Sequence, residues 1–132
     1  MSSTRAAVGI VVRDPDGLIL VGRRLAEPGR PLAIPGGKLE GEETIEACAA
    51  RELAEETGIA LDPDTLRTFA AILVDGWLVA GVLAEPLHTV HPRVLEPEKL
   101  GAFEWIDPSA PPEPLFELTT ALLARLRAQV GT

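Results

Sequence analysis

Blocks of apolar residues, separated by polar turns, predict the elements of the first third of the chain. A run of small and β-branched apolar residues predicts a strand over Ala6–Val12. Asp14–Gly17 then predicts a turn, and Leu18–Val21 predicts the strand that returns from it. The apolar stretch Leu32–Ile34 ends at Pro35–Gly37, which we interpret as a turn because glycine and proline interrupt regular structure.

Two segments have the composition or spacing of helices. Thr44–Thr57 contains strong helix formers without Gly or Pro, and Gly58 suits the left-handed residue that closes a helix. Leucines recur at helical spacing through Leu115–Val130, which predicts a closing amphipathic helix.

A second strand region lies between these helices. Leu66–Val74 and Trp77–Ala84 flank Asp75-Gly76, a dipeptide favoured in two-residue hairpins. Glu85–Pro97 predicts a loop, and Ala102–Ile106 predicts one more strand. The order of elements indicates a compact α/β domain over residues 1–132, with no linker that would divide it.

Charge narrows the classes of partner. The 132 residues have a formal net charge of −8, which disfavours nucleic-acid polymers and anionic membranes as partners. The single cysteine, Cys48, excludes an internal disulfide framework. No apolar run approaches the roughly 20 residues of a membrane span, and Met1–Arg5 lacks the features of a secretory signal. We therefore expect a cytoplasmic location.

The acidic residues are concentrated on the predicted helix and the loop before it. Seven of the 20 acidic residues lie between Glu40 and Glu56, with Arg51 as the one base among them. On a helix, Ile45, Ala49, Glu52 and Glu56 fall within an arc of roughly 60°. Carboxylates this close repel one another, and a divalent cation removes the repulsion. Clustered oxygen ligands favour Mg²⁺, or Mn²⁺ as a second choice.

The spacing of these residues resembles the Nudix box at every fixed position. Gly37 is followed after five residues by Glu43 and after seven more by Arg51–Ile59. The resemblance implies a Nudix fold, in which a mixed β-sheet is sandwiched between α-helices. It also implies hydrolysis of a diphosphate linkage attached to a nucleoside or a similar group.

The resemblance further implies a role for each residue of the box. Glu52, Glu55 and Glu56 would hold the metal, with help from the carbonyl of Gly37, while Arg51 and Glu43 would pair and fix the loop against the helix. Glu52 is our first choice for the catalytic base.

Residues outside these fixed positions add two open points. Glu96 and Glu98, in the predicted loop, remain candidates for an additional base or ligand. Glu42 stands where the family commonly has glycine, which puts the path of the loop in doubt.

Other features indicate which member of the family the chain resembles. The short chain and the segment Pro35–Glu40 are similar to the MutT-type nucleoside triphosphate diphosphatases. Glu96–Lys99 and Phe103–Trp105 are similar to the branch that contains the human thiopurine-nucleotide diphosphatase. This resemblance predicts cleavage of a nucleoside or deoxynucleoside triphosphate to the monophosphate and pyrophosphate, with nucleotide-pool sanitation as a role. It also favours a homodimer.

The residues expected to contact the nucleotide lie on both sides of the box. They are Arg24 toward the phosphates, the glycine-rich segment Gly36, Gly37 and Lys38, and Phe116 toward the base.

Alternatives remain beside the favoured function. The chain could hydrolyse another nucleoside diphosphate derivative, of the ADP-ribose or nucleotide-sugar type. It could also be a catalytically silent nucleotide-sensing module, or an interaction protein whose acidic helix recruits a basic partner. The intact Arg51-Glu52 and Glu55-Glu56 pairs argue against the silent module.

Overall fold

The computed structural model of the protein describes residues 5–130. Residues 1–4 and 131–132 of the predicted domain lie outside the described residues, and so does most of the N-terminal segment used to predict location. The elements follow one another in this order: β1 (Ala6–Val12), β2 (Ile19–Arg23), β3 (Leu32–Ala33), β4 (Gly36–Lys38), α1 (Ile45–Thr57), β5 (Arg67–Val74), β6 (Trp77–Ala84), β7 (Gly101–Ile106) and α2 (Glu117–Val130).

The strands form two sheets. The larger sheet has the order β4-β1-β6-β5 and is mixed, because β1 and β6 run parallel while the other pairs are antiparallel. The smaller sheet has the order β3-β2-β7 and is antiparallel. The predicted α/β fold with a mixed sheet is confirmed, and the second sheet was not anticipated from the sequence.

The core lies on both faces of the larger sheet. Successive residues of β1 alternate between the two faces, so that Ile10 packs in the cluster under α1 and Val11 packs in the cluster under α2. Leu53 of α1 and Leu122 of α2 are fully buried in these two clusters. The helices therefore cover opposite faces of the sheet, as the predicted sandwich requires.

Two local signals read from the sequence are borne out. Thr44 caps α1 by accepting a hydrogen bond from the Ala47 amide at 3.0 Å, and Gly58 ends the helix with a φ of 76°. Asp75 and Gly76 both have positive φ, 50° and 82°, as a two-residue hairpin turn of the favoured hand requires.

Two local predictions were wrong. The strand predicted over Leu18–Val21 does not return beside β1. It lies in the smaller sheet as β2 and meets the first strand region at the Arg13–Ile19 bridge. Residues 19–22 are all buried, and such a strand must be covered on both faces, which a solvent-facing hairpin cannot provide.

Pro35–Gly37 was predicted as a turn, but Gly36–Lys38 forms β4, in which Gly36 pairs with Gly9 and Gly37 with Val8 of β1. Neither glycine has a positive φ. Their role is therefore the close approach of other groups rather than a change of chain direction.

Within the described part of the chain, neither helix is long and apolar enough to cross a lipid bilayer.

Candidate active site

The inner face of α1 carries two carboxylates into the protein interior. Glu52 and Glu56 are 5% and 3% exposed, and they continue the buried stripe that begins with Cys48 and Ala49. Glu55, one residue away, has a side chain that is 46% exposed. Charged residues are rarely buried this deeply unless they are paired, so the stripe is a candidate functional site.

The glycines of β4 make room for these carboxylates. A Cβ on Gly37 would stand 2.1 Å from the Glu52 carboxyl carbon, so any larger residue would displace the Glu52 carboxylate. The amide of Gly36 donates a hydrogen bond to Glu56 Oε1 at 3.0 Å. The glycine-rich segment therefore holds the two carboxylates against the edge of the larger sheet.

Arg51 connects the helix to the loop before it. Its guanidinium donates to both carboxylate oxygens of Glu43, at 2.7 and 3.0 Å, and to the carbonyl of Lys38 at 3.0 Å. The same group donates to Glu52 Oε1 at 2.9 Å and, at 3.3 Å, to Glu55. The expected pairing of Arg51 with Glu43 is thus confirmed, and it is bidentate, the strongest form of such a contact.

The acidic residues around α1 experience opposite electrostatic environments. Hydrogen bonding to Arg51 lowers the pKa of Glu43 to about 2. Burial raises the pKa of Glu56 to about 8, and burial also raises the pKa of Glu52. Glu43 is therefore a stable anion beside Arg51, whereas Glu52 shares the same guanidinium through one oxygen only and Glu56 accepts from the uncharged amide of Gly36.

The site fits a divalent cation. Among residues 5–130, Glu52 Oε2 is one of two buried side-chain oxygens that accept no hydrogen bond, so one of its ligand positions is free. Carboxylate oxygens are the ligands that Mg²⁺ and Mn²⁺ prefer. Within the same residues no three acidic, histidine or cysteine side chains already form a metal cage. Arg51, bonded to both Glu52 and Glu55, holds those two carboxylates on its own side of the helix.

The loop between β6 and β7 brings further charged residues to this site. Glu96 is half-buried and its Oε1 is the second unpartnered oxygen, 3.7 Å from the ammonium of Lys99. The charge of Glu96 acts on Glu56 and contributes to the raised pKa that burial gives that carboxyl. Glu98 is exposed and lines the adjoining cavity. Glu96 therefore lies within electrostatic reach of Glu56, and Glu98 lines the same cavity.

A cavity of about 830 Å³ extends from the carboxylates across the larger sheet. Its acidic end includes Glu52 and Glu56, and its apolar end includes Ile34, Phe116 and Leu118. This size falls within the range of pockets that bind a ligand of nucleotide size.

Arg24, which was expected to face the phosphates, lines the cavity beside Phe116, and its contact with phosphate remains a prediction. Its Nε donates to Glu27 Oε1 at 2.7 Å, and its guanidinium lies 4.0 Å from the centroid of the Phe116 ring. Arg24 is thus paired with Glu27 and contributes the flat face of its guanidinium to the apolar end of the cavity.

Other lining residues escaped the sequence reasoning. Trp77 packs against the cluster under α2 and also lines the cavity, with the ammonium of Lys38 5.1 Å from the centroid of its ring. Lys99 was noted only as part of the segment Glu96–Lys99, with no role of its own, and Glu27 was not singled out. No periodic pattern marks either residue, because each reaches the cavity through a loop whose path depends on distant contacts.

Comparisons with known proteins bear on these observations. Residues 3–126 match the NUDIX domain family. The chain is 36% identical to an RNA pyrophosphohydrolase from Caulobacter vibrioides over 89 residues, which are 64% of this chain and 48% of the relative. It is 48% identical to a MutT-like protein from Streptomyces ambofaciens over 61 residues, 46% of this chain and 38% of the relative. The matched part thus spans half or less of the length of these curated relatives.

A solved structure agrees over 95% of the chain. The crystal structure of a MutT NUDIX hydrolase from Burkholderia pseudomallei superimposes with a TM-score of 0.81 at 29% identity. The superposition covers 95% of this chain and 99% of the other. The larger mixed sheet, the smaller sheet and both helices are therefore those of a known fold.

Proposed function

The chain belongs to the NUDIX family, and on that premise we propose that it hydrolyses a nucleoside or deoxynucleoside triphosphate to the monophosphate and pyrophosphate. The observation that carries the proposal is the buried Glu52 carboxylate, whose unpartnered Oε2 stands at the acidic end of a nucleotide-sized cavity. We place the chain, through its resemblance in Glu96–Lys99 and Phe103–Trp105, near the branch of the thiopurine-nucleotide diphosphatase.

In this proposal the metal would be held by Glu52, Glu55 and Glu56, with help from the Gly37 carbonyl. A divalent cation supplies neutralisation of phosphate charge and activation of water for attack on phosphorus. Mg²⁺ is the expected ion and Mn²⁺ the alternative. Binding would require Glu55 to turn from Arg51 toward Glu56, and its exposed side chain leaves it free to do so.

Residues of the chain would then supply proton transfer, positioning of the helix and the loop, and binding of the substrate. Glu52 accepts the proton of the attacking water, with Glu96 as the alternative because its own Oε1 is unpartnered. Arg51 and Glu43 keep the helix and the loop at a fixed separation. Lys38, with Gly36 and Gly37, borders the phosphate chain, and the apolar end of the cavity with Phe116 receives the base and excludes water.

The test is a panel of ribo- and deoxynucleoside triphosphates with Mg²⁺, read as release of pyrophosphate and monophosphate. We expect pyrophosphate from at least one triphosphate and none without the metal. Hydrolysis in ¹⁸O-water locates the attacked phosphorus, because the label enters either the monophosphate or the pyrophosphate. Turnover of no triphosphate would contradict the proposal.

Additional substrates in the same panel test the alternatives. A 5′-triphosphorylated oligonucleotide represents the activity in the name of the Caulobacter relative. ADP-ribose and a nucleotide sugar represent the other diphosphate derivatives. Nucleotide binding without any turnover would favour a sensing module. The expected homodimer and cytoplasmic location remain part of this proposal, and the hydrolysis test does not depend on either.

A further inference from the structure

The chain contains two lysines, Lys38 and Lys99, and both line the cavity. Ten arginines supply the remaining positive charge, and Arg24 is the one that lines the same cavity. A lysine ammonium on a flexible stem adapts to a phosphate oxygen as a point charge, whereas arginine favours fixed planar partners. The position of the lysines therefore deserves a functional explanation in a protein with a net charge of −8.

The three cations that line the cavity differ in how firmly they are held. Arg24 is bonded to Glu27 at 2.7 Å and stacked on Phe116. Lys38 lies over the ring of Trp77. Lys99 has a much looser partner, since its Nζ is 3.7 Å from Glu96 Oε1, beyond hydrogen-bond distance, and its side chain is 57% exposed. An exposed ion pair of this kind contributes little stability and is easily exchanged.

The backbone beneath Lys99 is fixed although its side chain is free. The amides of Lys99 and Leu100 donate to the carbonyl of Glu96 at 2.9 and 3.1 Å, which closes a turn. Leu100 is buried and packs close to Gly22 in β2. The turn thus keeps the start of the lysine stem at the rim of the cavity, while the ammonium can move.

The charge of Lys99 acts on both helix carboxylates. Burial is the main cause that raises the pKa of Glu56 to about 8, and Lys99 opposes this rise. Lys99 has the same effect on Glu52, whose pKa is also raised by burial. The ammonium is therefore within electrostatic reach of the place where the phosphate chain would meet the metal ligands.

We propose that Lys99 is a phosphate-binding residue, whose ammonium leaves Glu96 and binds a non-bridging oxygen of the substrate's phosphate chain. The inference rests on the proposed function for its ligand, a nucleoside triphosphate with its divalent cation. The same movement separates Lys99 from Glu96. The negative charge of Glu96 then acts on Glu56 without the ammonium beside it, and the carboxylate is available as the alternative base for water.

Steady-state kinetics separates this role from a structural one. Loss of a charged hydrogen bond to phosphate predicts that Lys99→Ala raises KM for the triphosphate by about tenfold or more. The kcat should stay within about threefold of the unaltered protein, and Lys99→Arg should restore KM to within about threefold. Arg125→Ala is the matched control, because it removes one positive charge from an exposed position outside the cavity and should leave KM unchanged.

Two kinetic outcomes would overturn the proposal. An unchanged KM with a lowered kcat would mean that Lys99 acts through Glu96 rather than on the substrate. An equal rise in KM for Lys99→Ala and Arg125→Ala would mean that only the net charge matters. Thermal unfolding of each variant shows whether the turn itself has been disturbed.

A second measurement does not require turnover. Reductive ¹³C-dimethylation keeps the charge of lysine, and with two lysines it gives two side-chain NMR signals, which Lys38→Arg and Lys99→Arg assign. Magnesium pyrophosphate should shift the Lys99 signal saturably. A signal that does not move would contradict the phosphate contact.

The two measurements also separate this proposal from the proposed function. If the protein hydrolyses no nucleotide but the Lys99 signal responds, the proposed function is wrong and the phosphate contact stands. If hydrolysis proceeds while neither KM nor the signal depends on Lys99, the contact is wrong and the proposed function stands.

Discussion

Glu43 and Glu56 have the same side chain and both lie close to Arg51 in the sequence, yet they occupy opposite environments. Glu43 shares two hydrogen bonds with Arg51, and its pKa falls to about 2. Glu56 is buried with the amide of Gly36 as its partner, and its pKa rises to about 8. A single acidic cluster therefore contains one carboxylate that fixes the loop to the helix, Glu43, and one that belongs to the candidate active site, Glu56. The difference comes from where the one arginine points.

The largest effect should be the loss of activity in variants of the candidate active site. Glu56→Gln removes the charge but keeps the shape, and if Glu56 holds the metal, kcat should fall by about 100-fold or more. Glu55→Gln should have a similar effect, although Glu55 is exposed. Circular dichroism should show an unchanged fold. The control is Glu104→Gln, which alters an exposed glutamate of β7 outside the cavity. Near-normal activity in either of the first two variants would refute the ligand assignment.

A second, smaller effect concerns the pH dependence of stability without metal. The pKa of Glu56 is higher in the folded protein, about 8, than its ordinary value of 4.5, so the folded state binds more protons between these values. The free energy of unfolding should therefore fall as pH rises through that range, by about 2 to 5 kcal/mol for this group.

Urea unfolding of the metal-free protein at pH 5 and pH 8 measures this effect. Glu56→Gln should become more stable than the unaltered protein at pH 8 but not at pH 5. Parallel pH profiles for the two proteins would show that burial does not raise the pKa of Glu56.

The smallest effect should separate two partners of Arg51. Glu43 has a 17% exposed side chain and a bidentate contact, whereas Glu40 is 71% exposed and lies 3.5 Å from the same guanidinium. Glu43→Gln should lower the free energy of unfolding by about 1 to 3 kcal/mol, and Glu40→Gln by less than about 1 kcal/mol.

The pH trend of this pair is opposite to that of Glu56. The pKa of Glu43 is lowered in the folded state, so its contribution is present above its ordinary value of 4.5 and is lost as pH falls toward 2. Equal losses of unfolding free energy for Glu43→Gln and Glu40→Gln at pH 7 would mean that the bidentate contact between Glu43 and Arg51 does not stabilise the fold.

The parts of the structure that depend on near neighbours could be read from the sequence. The Thr44 cap, the Gly58 terminus and the Asp75-Gly76 hairpin are each specified by a few adjacent residues. The fixed spacing from Gly37 to Ile59 identified the family and the residues of the acidic cluster.

The parts that depend on distant contacts could not. The sheet that β2 joins is decided by β7, some 80 residues later. Arg24 contacts Glu27 and Phe116 at the cavity, and neither contact has a sequence signature. The role that we propose for Lys99 could not be predicted from the sequence, because it depends on its interactions in the fold with Glu96, Glu52 and Glu56.

The loop that carries Glu96 and Lys99 also packs against Gly58, the glycine that ends α1. The Arg93 amide donates to the carbonyl of Thr57 at 2.8 Å, and the Arg93 guanidinium lies so close to Gly58 that a Cβ there would stand 2.8 Å from it. Leu100 is buried at the other end of this loop. The segment 93–100 therefore forms an arch that is anchored at both ends.

The β5–β6 hairpin lies outside that arch but lines the same cavity through Val74, Asp75 and Trp77. A substitution at the hairpin tip would therefore change the wall of the cavity without displacing the two ends at which the arch is anchored. Two separately anchored parts of the fold, the hairpin and the arch, thus contribute to the wall of one cavity.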